Sequence, residues 1–135
     1  MAIADASAIV GVLSESDQWR TVAFPCFQEL PKPLRTCEAA ITESCFLMQS
    51  SINGEQQVLD LIAKNVLRID FSLSSEVNRI TSLMLKYRSV PMSLADACIV
   101  RMSELFDAPV FTFDGDFRIY RRHRWQRIPL IGLKD

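Results

Sequence analysis

The sequence predicts an α/β fold, a three-layer α/β/α sandwich built on a central, mostly parallel sheet of four or five strands. Three observations carry this expectation. Short apolar runs at residues 2–4, 34–37, 66–71 and 110–113 alternate with longer segments of helical periodicity. Such alternation is the pattern of parallel strands joined by right-handed crossover helices that cover both faces of the sheet. The 135 residues, 49% hydrophobic and 23% charged, are enough for one ordinary core. A single domain over residues 1–135 is expected, with no membrane span, because no apolar run approaches the ~20 residues that a bilayer requires.

Each element has a local reason. Residues 2–4 form a short strand that gives way to a helix over about 8–13, with Asp5 at the junction. Ser14-Glu15-Ser16-Asp17 resembles a helix start, and Val22, Ala23, Cys26, Phe27 and Leu30 recur behind it at helical spacing. Pro25 interrupts that helix at a cost of about 3 kcal/mol if it is interior. Pro31-Lys32-Pro33 ends it. A short strand at 34–37 leads into a helix over about 38–49. Asn53-Gly54 marks a turn, and a helix over 55–64 precedes the strand at 66–71. Ser72 to Ser75 offer caps for a helix carrying Val77, Ile80, Met84 and Tyr87 inward. Pro91-Met92-Ser93 opens the next helix, and Pro109 introduces the strand Val110-Phe111-Thr112-Phe113, which the turn-forming Asp114-Gly115 ends. A short basic helix and a final strand near 126–131 complete the expectation.

The balance of charge, 15 basic against 16 acidic residues, conceals a cationic segment. Arg118, Arg121, Arg122, Arg124 and Arg127 lie between Phe117 and Arg127 with Tyr120, His123 and Trp125 and no acid among them. Arginine interleaved with aromatic residues suits phosphate contact and base stacking, although such a run is often only a solvated face. Met1-Ala2-Ile3-Ala4-Asp5 lacks the basic and long apolar regions of a secretory signal. Cys26, Cys37, Cys45 and Cys98 show no close pairing and read as buried thiols of a reducing compartment. A cytoplasmic protein is the expectation.

Four acids stand where their chemistry is costly. Asp5 is the one charge in an otherwise apolar or small segment. It either caps the following helix or needs a partner, and Ser7 is an alternative cap. Glu43 shares a helix face with Ala39, Phe46 and Leu47, so it either projects from a largely apolar surface or, if that face is less buried than its composition suggests, reaches water past its neighbours. Asp96 follows Ser93 at the spacing of a capping box, yet its apolar neighbours favour a carboxylate aimed into the molecule. Asp114 and Asp116 flank the turn at the carboxyl end of a core strand, the edge where open α/β sheets bind ligands. If the strands before Asp5 and Asp114 are neighbours, all four acids can converge in one cleft.

The ordered set Asp5-Ala6-Ser7, Thr42-Glu43, Ser93-Leu94-Ala95-Asp96-Ala97 and Thr112-Phe113-Asp114-Gly115-Asp116-Phe117 resembles the PIN domain of VapC-type toxins from toxin–antitoxin systems. The resemblance extends over essentially the whole chain. It implies a metal-dependent endoribonuclease leaving a 5′-phosphate, with Asp5, Glu43, Asp96 and Asp114 as the acidic catalytic and metal-binding residues and Asp116 as an auxiliary acid. It also implies Ser7 and Thr112 as supporting hydroxyls, a small antitoxin protein as partner and a homodimer. Clustered carboxylates repel one another unless a divalent cation neutralises them, and an all-oxygen donor set without histidine suits Mg²⁺ or Mn²⁺. On that reading Asp5, Asp96 and Asp114 hold the ion, Glu43 holds one of its waters or a second ion, and the arginines Arg118, Arg121, Arg122 and Arg124 grip the RNA backbone.

Other chemistries fit less well. A zinc site or a Ser-His-Asp triad would depend on His123, the sole histidine, in the basic segment. The Asp114-Gly115-Asp116 pair also suits a haloacid-dehalogenase-type phosphatase, but too little chain follows it for that fold. A PIN-like module without catalysis, serving as a binding partner or scaffold, is the alternative from a different class.

Overall fold

The sheet is built from very short strands, so its register rests on burial more than on ladder length. The computed structural model describes residues 1–133. Five strands, β1 (Ile3–Ala4), β2 (Leu34–Thr36), β3 (Leu67–Ile69), β4 (Val110–Thr112) and β7 (Leu130–Gly132), lie in the order β3-β2-β1-β4-β7. Every pairing in this sheet is parallel, with Ile3 opposite Arg35 and Val110, and Ala4 opposite Phe111. β2 and β3 extend from one side of β1 and β4 lies on the other, so the switch point falls between β1 and β4.

Period-two alternation sends successive side chains to opposite layers. Ile3 and Val110 join a core formed with α5 (Leu73–Lys86) and α6 (Leu94–Phe106). Ala4 and Phe111 join the opposite core with α1 (Ala6–Leu13), α2 (Arg20–Glu29) and α4 (Gly54–Ala63). The helix α3 (Glu38–Met48) serves both, giving Ala40 to the first core and Ile41 and Met48 to the second. Straddling the sheet in this way leaves its outer face beside the switch point. Gly54 is required at the start of α4, because a Cβ there would stand 1.8 Å from the Met48 carbonyl oxygen.

The expected elements are present, with four differences. Ser14–Asp17 does not start α2: the chain turns there and the helix begins at Arg20, after Trp19 stacks on Phe113 at 5.0 Å. Of the residues expected inward on α2 only Ala23 is buried, so Pro25 sits inside a helix that is packed along a narrow strip. On α5 the buried positions are Ile80, Leu83 and Tyr87, while Val77 is exposed. The basic segment is not a helix beyond a 3-10 turn at Gly115–Arg118. It forms an antiparallel hairpin, β5 (Arg121–Arg122) with β6 (Gln126–Arg127), and the last strand of the main sheet begins only at Leu130. The turn of this hairpin places His123 and Arg124 at φ 49° and 77°, left-handed conformations that few side chains favour and that no Gly or Asn announces. All four cysteines are free. Cys37 and Cys98 are buried as expected, and Cys26 and Cys45 are half-buried.

Candidate active site

Asp5 follows β1 directly. Its backbone N–H continues the ladder to the Phe111 carbonyl at 3.2 Å, which fixes the side chain at the boundary between β1 and β4. The capping reading and the site reading of Asp5 coincide: Oδ1 accepts from the backbone N–H groups of Ser7 at 2.5 Å and Ala8 at 3.4 Å, so Asp5 is the N-cap of α1. The same Oδ1 accepts from the Ser7 hydroxyl at 2.7 Å, and Oδ2 accepts from the Thr112 hydroxyl at 2.6 Å. Both hydroxyls are bonded on a second side as well. Ser7 Oγ accepts from the Phe113 N–H at 2.9 Å, and Thr112 Oγ1 accepts from the Asp114 N–H at 3.0 Å. Ser7 and Thr112 therefore tie Asp5 to the end of β4.

Asp114 lies one residue beyond Phe113 and caps the 3-10 turn, its Oδ1 accepting from the Asp116 N–H at 2.9 Å. Asp96 sits three residues after the N-cap of α6, and the capping box is real. Ser93 Oγ accepts from the Asp96 N–H and Asp96 Oδ2 accepts from the Ser93 N–H, both at 3.1 Å. Asp96 Oδ2 also accepts from the hydroxyl of buried Tyr120 at 3.2 Å. Glu43 projects from α3 on a more open face than its sequence neighbours suggest, since Phe46 is 66% and Leu47 49% exposed. The apolar surface expected around it is solvent-facing.

These four acids line one cleft of about 60 Å³, together with Ser7, Ala40, Leu47, Ala95 and Ile99. Among the described residues no basic side chain lines it. A wider groove of about 640 Å³ adjoins it and shares Ser7, Leu47 and Asp114 with the cleft. Mutual repulsion is visible in the proton affinities. Burial pushes Asp5 up to about 6, although the hydrogen bonds from Thr112 and Ser7 oppose the rise, and the Asp114 charge adds to it. Glu43 is raised by partial burial and then by the charges of Asp5, Asp96 and Asp114. Asp96 is raised by burial and by Asp114, against the hydrogen bonds from Ser93 and Tyr120. Asp116 stands beside the others and is raised by burial and by Asp114. Acids that raise one another's affinity for protons share one field, and that field favours a cation.

The donor set suits a hard divalent ion, because every side chain that could ligate here offers oxygen. As the side chains lie, no three acids among the described residues close around a single point as a ready cage. Mg²⁺ needs less than a cage, since it is commonly held by one or two carboxylates and several waters.

The arginines are divided by the hairpin. Arg122, expected on the cationic surface, is buried instead at 4% exposure. Its guanidinium donates to the Ser103 carbonyl at 3.1 Å and the Ser103 hydroxyl at 3.2 Å, and pairs with Asp107 at 2.8 Å. Burial of an arginine through such pairing is a tertiary event that spacing in the sequence does not reveal. Arg121 turns one guanidinium nitrogen onto the carbonyls of Arg118, Ile119 and Tyr120 and so caps the 3-10 turn. Arg118, Arg124 and Arg127 are exposed. Tyr120, expected among the stacking aromatics, is in the core with its hydroxyl at the cleft, and this role was not foreseen. A polar tip on a large ring close to Asp114 was its only signal.

No family model and no curated relative matches the sequence. Among solved structures, the chain is similar to Mycobacterium tuberculosis VapC20, a toxin that cleaves the sarcin-ricin loop. The TM-score is 0.78 and the identity 14%, over 86% of this chain and 92% of that one. At such identity the likeness is one of architecture, and it agrees with the parallel sheet flanked by helices on both faces: the chain has a PIN-like α/β/α fold.

Proposed function

We propose that this protein is a divalent-metal-dependent endoribonuclease acting in the cytoplasm, the toxin of a pair whose second member is a small antitoxin protein, and that it works as a homodimer. The observation that carries the enzymatic reading is the convergence of Asp5, Glu43, Asp96 and Asp114, from four different elements, in one cleft that no basic side chain among the described residues lines. The fold it shares with an RNA-cleaving toxin supports the same substrate class, and the partner and the dimer rest on the resemblance of the sequence motifs to VapC-type toxins.

A bound Mg²⁺ or Mn²⁺ supplies Lewis-acid polarisation of a phosphodiester oxygen and activation of a water. Asp5 and Asp114 would hold the ion from the strand ends and Asp96 from α6, with Glu43 on the open side and Asp116 as the auxiliary acid. Ser7, Ala8 and Thr112 together hold the Asp5 carboxylate with four hydrogen bonds, three to Oδ1 and one to Oδ2. Tyr120 does the same for Asp96 and keeps that carboxylate beside the cleft instead of wholly within its capping box. The adjoining groove of about 640 Å³ runs past Asp114 and is where a nucleic-acid strand would lie.

The second reading, a PIN-like binding module without catalysis, is favoured by one observation: Asp96 has both Ser93 and Tyr120 as local partners. Incubating purified protein with structured RNA, with Mn²⁺ or with EDTA, separates the two. Cleavage that requires the ion and is lost in Asp5→Asn and Asp96→Asn supports the nuclease. Equal cleavage by wild type and both variants would assign the activity to a contaminant or another site.

A further inference from the structure

The cleft accounts for the acids but leaves the hairpin of β5 and β6 unexplained. Its tip, His123-Arg124-Trp125, carries an indole that is 79% exposed. A mobile loop could bear such a residue by chance, but this one is fastened to α5 and α6 at several points. The Arg121 N–H donates to the Tyr87 hydroxyl at 2.8 Å, and the His123 N–H donates to Glu104 Oε2 at 2.7 Å. Lys86 Nζ donates to the Arg124 carbonyl at 2.6 Å, and Arg122 is locked onto Ser103 and Asp107. Glu104 is itself buried and held by Arg79 at 2.6 Å and Arg101 at 3.2 Å. Nearby acids are thus engaged by other cations, while Arg124, Trp125 and Arg127 face solvent.

A fastened tip with one exposed indole, and exposed arginines one residue before it and two residues after it in the chain, has the chemistry of a base-stacking platform with phosphate contacts beside it. Asp96 and Glu104 stand eight residues apart on α6, about 12 Å, so the tip stands well away from the cleft along that helix. We propose that Trp125 stacks on an unpaired RNA base while Arg124 and Arg127 contact the adjoining phosphates, forming an anchor a few nucleotides from the scissile bond. This rests on RNA being the substrate. Sequence-specific RNA recognition generally uses splayed, single-stranded bases of this kind.

The test measures binding and cleavage separately. A fluorescein-labelled single-stranded RNA of about a dozen nucleotides is titrated by fluorescence anisotropy against full-length protein carrying Asp5→Asn, so that the probe survives. Adding Trp125→Ala should weaken the Kd by about 5- to 150-fold, and Trp125→Phe should recover most of it. Arg124→Ala or Arg127→Ala should lower the slope of affinity against salt by about one, whereas Trp125→Ala should leave that slope alone. With Asp5 restored and Mn²⁺ present, Trp125→Ala should raise KM for the RNA and leave hydrolysis of bis-p-nitrophenyl phosphate, which fills only the cleft, unchanged.

Equal RNA affinity for wild type and Trp125→Ala overturns the anchor. So does an equal loss in the Ala and Phe variants accompanied by a lower Tm, which is structural damage. Loss of self-association by sedimentation, with RNA binding intact, would give the tip to a second copy of the chain and likewise overturns it. Trp125-dependent RNA binding without any Mn²⁺-dependent hydrolysis of either substrate would instead refute the nuclease reading and leave the anchor standing.

Discussion

Asp5 combines two roles that pull against each other. As the N-cap of α1 it is an acceptor that the helix needs, and as a member of the acidic cleft it is a buried charge that the ion-free protein tolerates poorly. Its carboxyl titrates near 6 in the fold against 3.8 for an ordinary aspartate, so the native state binds the extra proton between those values. The unfolded chain therefore binds fewer protons in that window, and stability falls as pH rises through it. This rise in proton affinity corresponds to about 3 kcal/mol, fully present below the unfolded value and lost above about pH 6. Ion-free wild type should accordingly show a Tm that declines between pH 4 and about 6, and Asp5→Asn should flatten the decline. The supports of Asp5 are testable in the same way. Thr112→Val keeps the shape but removes a donor to Asp5 and leaves the Asp114 N–H without its acceptor. A loss of about 1–3 kcal/mol in urea denaturation is expected. The chemical identity of these residues was legible from the sequence, since a carboxylate among apolar neighbours is costly wherever it lies. The double use of Ser7 and Thr112 was not, because it depends on the lateral register of Ala4 with Phe111.

At the scale of elements, the strands and most helices were legible because each is punctuated. Pro31 and Pro33 precede β2, Asn53-Gly54 precedes α4, Ser72 caps α5, Ser93 caps α6 and Asp114-Gly115 closes β4. Where the punctuation is ambiguous the expectation failed. Ser14–Asp17 carries helix-start residues but forms a turn, and the hairpin of β5 and β6 lacks the turn signature that would have announced it. That hairpin is held by tertiary contacts centred on Glu104, whose side chain is 1% exposed. The ion pairs and the His123 N–H outweigh the burial that would otherwise raise its pKa, and hold it below the usual carboxylate range. Glu104→Ala leaves Arg79 without its partner and removes the hairpin's acceptor, and should cost about 3–5 kcal/mol by chemical denaturation. Faster amide exchange should appear at residues 121–127 in the same variant. Gly54→Ala should cost about 1–3 kcal/mol, because the new methyl must displace the end of α3.

Across the whole molecule, the arrangement follows from one topological fact: β1 and β4 are adjacent and parallel, with the chain leaving both at the same edge. That adjacency brings Asp5 and Asp114 together, and α3 and α6 then supply Glu43 and Asp96 from either layer. The alternation of elements made the architecture readable, and among the described residues no basic side chain intrudes on the cleft to neutralise it. Among the described residues no helix is long and apolar enough to cross a membrane. The most direct test of a shared acidic site is Mn²⁺ binding by the purified protein, followed as the rise in Tm with ion concentration in wild type, Asp5→Asn, Glu43→Gln, Asp96→Asn and Asp114→Asn. The expected result is a saturable rise in wild type, equivalent to about 2.7 kcal/mol at a hundredfold excess over Kd, that each substitution reduces or abolishes. A wild type indifferent to Mn²⁺, or a rise of the same size in all four variants, would show that these acids do not act on one ion.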